Sequence, residues 1–255
     1  MINVIISGCR GRMGRVIAGL IAADPAMQTV AGFDPAPGGD CAFPVYASPM
    51  EYAGTADCVI DFSSPAALED LLRFGQARQV PLVLATTGYS EAQVAQVQAA
   101  AAQIPIFRSA NMSLGINVLM DLVRRAAAAL EGYDIEIIER HHNQKVDAPS
   151  GTALMLAEAA AETVPYDAAL TYDRSQRRQK RDPKEIGISA VRGGTIVGDH
   201  TVLFAGHDEV IELHHSAQSR ELFAVGAVRA AKYLAAVRSP GLYDMQRMLR
   251  DEQGS

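Results

Sequence analysis

The stretch Ile2-Asn3-Val4-Ile5-Ile6-Ser7-Gly8-Cys9-Arg10-Gly11-Arg12-Met13-Gly14 decides the fold. A β-branched run over residues 2–7 stops at a glycine-rich turn, and over residues 13–23 apolar side chains recur at helical spacing. The order is strand, turn, helix. Gly8, Gly11 and Gly14 give G-x-x-G-x-x-G rather than the commoner G-x-G-x-x-G. Glycines here let the backbone approach a pyrophosphate, and the following helix offers N–H groups and the positive end of its dipole. A tight β–α turn without a ligand has the same pattern, so context must separate the two. Asp34 supplies some: it closes the second strand about 20 residues after Gly14, where a carboxylate accepts hydrogen bonds from an adenosine ribose. Arg12 in the turn would suit a 2′-phosphate, which Asp34 would repel. The expected cofactor is therefore NADH or NADPH, with a lean to NADH.

Outward from this turn, the alternation continues. Strand-like runs at 29–33, 57–62, 81–85 and 104–108 are separated by the breaker-rich PAPGGD after Phe33, by Ser63-Ser64-Pro65 opening a helix, and by an Ala/Gln-rich helix at 91–103. Strands alternating with helices imply parallel pairing and right-handed crossovers, hence a doubly wound sheet of Rossmann type. After Asn111 the texture changes: a helix at 116–130, a strand at 133–140, a helix at 152–162, then strand-like runs from 186 to 213 with no helix of similar length between them. That is the pattern of a second, α+β domain with a mixed, mostly antiparallel sheet. A last helix at 224–236, followed by GLYDMQRML, would return to the first domain. The expected division is a dinucleotide-binding domain at 1–111 completed by 221–255, and a substrate-binding and oligomerisation domain at 112–220.

Composition narrows the class. The chain has 255 residues, 49% apolar and 20% charged, with no apolar run near the roughly 20 residues of a membrane span. A net charge of −6 argues against a general nucleic-acid binder, which needs a basic face. The chain enters a strand pattern at once, without the basic segment, apolar core and cleavage site of a signal peptide, so a mature cytoplasmic protein is expected. Three cysteines, Cys9, Cys41 and Cys58, suggest neither a disulfide framework nor a thiolate zinc site. Arg174, Arg177, Arg178, Lys180 and Arg181 form a basic cluster that reads as a solvated loop or as one closing over an anion or a neighbouring subunit.

Chemistry is concentrated in residues 141–153, HHNQKVDAPSGTA, which follow a strand and open a helix. Adjacent histidines at a strand end point to opposite sides, so one faces a pocket while the other packs or anchors the loop. A histidine donates a proton near neutral pH and Lys145 adds a fixed cation, a pair suited to a substrate gaining hydride. Ser150-Gly151-Thr152 reads as a helix entry whose hydroxyls and N–H groups hold a carboxylate. The alternative is a polar loop capping a helix. No metal is expected: His141/His142, His200, His207 and His214/His215 contain no i, i+4 pair and no H-E-x-x-H. Ser150 lacks the G-x-S-x-G elbow of a hydrolase nucleophile.

These residues resemble the bacterial dihydrodipicolinate reductase family, now called 4-hydroxy-tetrahydrodipicolinate reductase, of the diaminopimelate and lysine pathway. The resemblance runs nearly end to end: GCRGRMG, DFSSP, ATTGYS, SANMSLGINV, HHNQKVDAPSGTA, RGGTIVGDH and GLYDM. It implies a Rossmann domain plus an α/β domain whose sheet assembles a homotetramer. It further implies that Gly8, Arg12, Met13 and Gly14 lie near the pyrophosphate and Asp34 near the ribose. Ala85, Thr86, Thr87, Gly88, Ala110, Asn111 and Met112 would line the nicotinamide end. By the same resemblance His141 is the proton donor, with Lys145 beside it in catalysis. His142, Ser150, Gly151 and Thr152 hold the dicarboxylate, and Arg220 and Phe223 fall near a hinge. The implied reaction is NAD(P)H-dependent reduction of a cyclic imine dicarboxylate, 4-hydroxy-tetrahydrodipicolinate, to tetrahydrodipicolinate with loss of water. One departure matters: where the family often has an acid followed by a basic residue that grips the NADPH 2′-phosphate, Asp34 is followed by Pro35 and Ala36. Rival readings are a related oxidoreductase of amino or linear imino acids, and a dinucleotide-binding sensor without turnover.

Overall fold

The computed structural model describes residues 1–36, 41–172, 174–175 and 177–253. Of the breaker-rich stretch after Phe33, residues 37–40 lie outside the described residues. In chain order the elements are β1 (Ile2–Ser7), α1 (Arg12–Ala22), β2 (Met27–Phe33), β3 (Val45–Tyr46), β4 (Cys58–Asp61), α2 (Leu68–Arg78), β5 (Leu82–Leu84), α3 (Glu91–Ala101), β6 (Pro105–Phe107) and α4 (Leu114–Ala129). Then follow β7 (Asp134–His141), α5 (Gly151–Ala161), β8 (Ala169–Thr171), β9 (Glu185–Arg192), β10 (Gly198–Ala205), β11 (Val210–Ala217), α6 (Leu222–Ala236), β12 (Gly241–Tyr243) and α7 (Met245–Gln253). The chain forms two compact units, Met1–Ser113 with Glu221–Ser255, and Leu114–Arg220.

In the first unit seven strands run β12-β6-β5-β4-β1-β2-β3, every pairing parallel. Such a sheet is covered on both faces, which is why its strands are near-continuous apolar runs rather than alternating ones. Val4, Ile5 and Ile6 on β1 and Ile60 on β4 are fully buried, each worth about 1.5–3 kcal/mol of hydrophobic stabilisation. The strand order reverses between β1 and β4, where Ser7 and Asp61 are register partners. That reversal opens a crevice at the carboxyl ends of the two strands, the usual ligand position of an open α/β sheet. The chain's last segment joins this unit: β12 pairs with β6, and α6 packs on α1 and on β4 to β6. The Ala/Gln-rich α3 starts with a full capping box between Ser90 and Gln93, worth about 1 kcal/mol.

The second unit has five strands in the order β11-β10-β7-β9-β8. One face carries a core of Ile135, Ile137, Ile186, Val202 and Phe204 under α4 and α5, including Ile116, Val123 and Leu156. The sheet is mixed, as expected, with more residues paired antiparallel than parallel. β10 is antiparallel to β7 and β11, whereas β9 is parallel to β7 and β8. A helical crossover through α5 carries the chain to the far side of the sheet, and parallel pairing needs such a connection. The two- and three-residue strands β3 and β8 are too short to leave a periodic signal in the sequence.

Candidate active site

Strand parity builds the site of the second unit. On β7, Ile135, Ile137, Glu139 and His141 alternate inward and all are buried. A fully buried carboxylate needs partners, and Glu139 has four hydrogen bonds. Arg192 donates two, at 2.7 and 2.8 Å, His141 shares one at 2.6 Å through Nδ1, and the Ser150 backbone N–H donates one at 2.9 Å. Burial pushes the Glu139 carboxyl pKa up, but the bonds from Arg192, His141 and Ser150 reverse this and hold it below the ordinary value. Arg192, at the end of β9, also donates to the Asp147 carbonyl at 2.7 Å, so one guanidinium ties the loop after β7 to the strand.

Opposite Glu139 on β10 lies His200. Its Nε2 is 2.9 Å from the Ser150 hydroxyl, and its ring meets that of His141 edge-on with centroids 5.1 Å apart. Burial first, then His141, push the His200 pKa down to about 4, so the ring is neutral at pH 7. Its Nδ1 is buried and has no hydrogen-bond partner among the described residues. Ser150 is the N-cap of α5: its hydroxyl accepts the Ala153 N–H at 3.2 Å. Both polar groups of Ser150 are therefore engaged within the protein, and Gly151 and Thr152 follow as the first residues of the helix. The Ala148–Pro149 peptide just before is cis.

His142 takes the other side. It lines a cleft of about 310 Å³ with Asn143, Gln144, Gly194, Thr195, Val197 and Arg220. Arg220 approaches His142 Nε2 at 3.3 Å; since a guanidinium only donates, Nε2 accepts. The cleft wall is fixed by backbone bonds from Gly193 N to His141 O and from Asn143 N to Gly194 O. Lys145 is not among the lining residues: its ammonium sits 2.7 and 2.9 Å from the two Asp147 carboxylate oxygens. Sequence reasoning brought His141, His142 and Ser150 to this place. It missed Glu139, Arg192 and the role of His200. The available signal for Glu139 was parity, an acid two residues before His141 on an alternating strand.

In the first unit the glycine turn is geometrically obligatory. Gly8 has φ +75°, and a Cβ on Gly14 would lie 2.2 Å from the Gly8 carbonyl oxygen. The N-cap of α1, Gly11, gives no side-chain hydrogen bond, so the first N–H groups of the helix keep the capacity to bind an anion. Beside the turn, Ser7, Asp34, Pro35, Ala47, Ser63, Ala67, Asp70 and Leu71 help line a cleft of about 280 Å³, two carboxylates against an apolar slab. Asp34 is anchored by the N–H groups of Arg10 and Ala36, both at 3.1 Å. These residues fit an adenosine and a pyrophosphate. Thr86 to Gly88 follow β5, with Gly88 at φ +82°, and the Asn111 carboxamide oxygen accepts the Ser113 N–H at 2.9 Å. Among the described residues no group of three or more His, Cys, Asp or Glu side chains is arranged to hold a metal.

Two family models match, "Dihydrodipicolinate reductase, N-terminus" over residues 2–112 and "Dihydrodipicolinate reductase, C-terminus" over 115–249. A 4-hydroxy-tetrahydrodipicolinate reductase of Caldanaerobacter subterraneus subsp. tengcongensis is 52% identical over 250 residues, covering 98% of this chain and 99% of that protein. One of Clostridium botulinum is 46% identical over 246 residues, covering 96% and 97%. Among solved structures, a dipicolinate-bound dihydrodipicolinate reductase of Paenisporosarcina sp. TG-14 superposes with a TM-score of 0.80 at 25% identity, over 96% of this chain and 97% of that one.

Proposed function

The chain belongs to the dihydrodipicolinate reductase family, and on that premise we propose how its residues divide the family reaction. The reaction is NAD(P)H-dependent reduction of 4-hydroxy-tetrahydrodipicolinate to tetrahydrodipicolinate with loss of water, in diaminopimelate and lysine biosynthesis. The observation that carries the assignment of roles is the pairing of a buried, oriented histidine, His141, with a cleft lined by the next residue, His142, and by the Arg220 guanidinium.

The second unit, residues 114–220, holds the substrate. Arg220 and His142 face one carboxylate in the cleft. The N-terminus of α5, at Gly151 and Thr152, meets the other, where the first N–H groups of a helix lack intrahelical acceptors. Ser150 fixes that helix start from below, through Glu139, Ala153 and His200. Local fields of this kind bind a dianion whatever the net charge of the protein. His141 delivers the proton that accompanies hydride gain. Lys145, oriented by Asp147, raises the positive potential near the reacting ring.

Residues 1–113 with 221–255 hold the cofactor, which supplies hydride to C4 of the substrate ring. Gly8, Arg12, Met13 and Gly14 cradle the pyrophosphate, and Asp34 accepts from the adenosine ribose. Ala85 to Gly88 and Ala110 to Met112 border the nicotinamide. The lean to NADH rests on Asp34 and Asp70 lining one cleft, since a 2′-phosphate there would meet two carboxylates. One observation favours NADPH: the Nε of Arg10, beside Asp34, is buried without a partner among the described residues. The ratio of kcat/KM for the two cofactors decides between them.

Exposed Ile138, Val191 and Val210 share the sheet face opposite the helices of the second unit, which supports assembly through that face into a homotetramer. Light scattering after size exclusion tests this. No helix among the described residues is long and apolar enough to cross a membrane, in keeping with a cytoplasmic enzyme. The substrate assignment is tested with dipicolinate, which should compete with substrate. Failure of a planar dicarboxylate to inhibit would count against the cleft at His142 and Arg220.

A further inference from the structure

We propose that Glu139, held as a carboxylate by Arg192, is a positioning residue that fixes the tautomer and orientation of His141. This rests on the role given to His141 above. Glu139 and His141 lie two residues apart on β7, so their side chains share one face, and their contact at 2.6 Å is buried. The bidentate bond from Arg192 and the Ser150 N–H keep Glu139 ionised, and an ionised carboxylate only accepts. Nδ1 of His141 must therefore carry a proton in every charge state of the ring. Nε2 is left as the atom that gives its proton to substrate and is reprotonated from solvent.

Arg192 does a second thing. It takes two of the four hydrogen bonds on Glu139, so the buried carboxylate is shared between a guanidinium and the His141 ring and is held in one orientation toward Nδ1. The charged and titratable groups facing the His141 ring are Glu139 on its own strand, Arg192 on β9 and neutral His200 on β10. Space for Nε2 is also specified: a Cβ on residue 198 would lie 2.9 Å from it, and that residue is Gly198.

The test is Glu139→Gln in the full chain. The amide nitrogen can donate to Nδ1 and so stabilise the opposite tautomer. Turnover should fall by about 10² or more, since a positioned proton donor supplies roughly 10²–10⁴, with the KM for substrate little changed. The pH profile of kcat should lose the limb that His141 contributes, and dipicolinate binding should persist. A kcat within about threefold of the parent with an unchanged profile overturns the proposal. Nitrogen NMR of the unsubstituted protein decides independently of folding or turnover: an Nδ1–H signal for His141 at neutral pH supports the role, and an Nε2–H tautomer refutes it. A parent protein that shows the Nδ1–H tautomer yet has no reductase activity would sink the reductase reading alone.

Discussion

The Ser150 hydroxyl lies 2.9 Å from Nε2 of His200, a ring buried between Glu139 on one strand and the start of α5. An imidazole there is costly to protonate, and its pKa is down to about 4, with burial the main cause. In the unfolded chain a histidine titrates near 6.5. Between those values the unfolded state binds more protons, so stability rises with pH and is lost as pH falls from about 6.5 toward 4. This one group accounts for about 3 kcal/mol across that window. His215, also with a lowered pKa from burial, acts in the same direction. Urea midpoints at pH 7 and pH 5 should separate clearly for the parent and less for His200→Asn. Equal separation would remove His200 as the source.

Replacing His141 with Gln should lower kcat by about 10²–10⁴ while leaving the dissociation constant for NADH within about twofold. Stopped-flow reduction and cofactor fluorescence titration report the two quantities. An unchanged kcat would take His141 out of the chemistry.

Arg192→Met should destabilise the protein by about 3–5 kcal/mol, because removing one partner of a buried pair strands the other charge. Glu139 is fully buried and Arg192 supplies two of its four hydrogen bonds. Equilibrium denaturation measures the loss. A change under about 1 kcal/mol would mean that water or a rearranged Lys145 replaces the guanidinium.

Gly14→Ala should weaken dinucleotide binding by about tenfold or more and leave dipicolinate affinity unchanged. The added methyl would sit 2.2 Å from the Gly8 carbonyl oxygen and 2.7 Å from Cys9 Cα, so the turn must open. Calorimetry with each ligand separates the two effects, and equal losses for both would point to general unfolding.

Much of this was legible from local sequence, because the signals were local. The run into Gly8 and the recurrence after Met13 state a β–α turn outright, and the histidines before Ser150-Gly151-Thr152 mark a strand end meeting a helix start. What was not legible depends on pairing between distant strands. Glu139 looks like one more acid in IEIIERH until β9 brings Arg192 beside it, 53 residues later. His200 looks like an ordinary strand residue until the β7–β10 register sets it opposite Glu139. The parallel pairing of β9 with β7 and β8 was not legible for the same reason, since β9 carries no local sign of which neighbour it will take.

The central claim is tested most directly by following nicotinamide absorbance when the protein is mixed with NADH or NADPH and substrate made in place from pyruvate and aspartate semialdehyde by the preceding synthase. The account predicts rapid oxidation that requires both the synthase and this protein, with the higher kcat/KM for NADH. No oxidation with either cofactor, in a protein that demonstrably binds the dinucleotide, would contradict it.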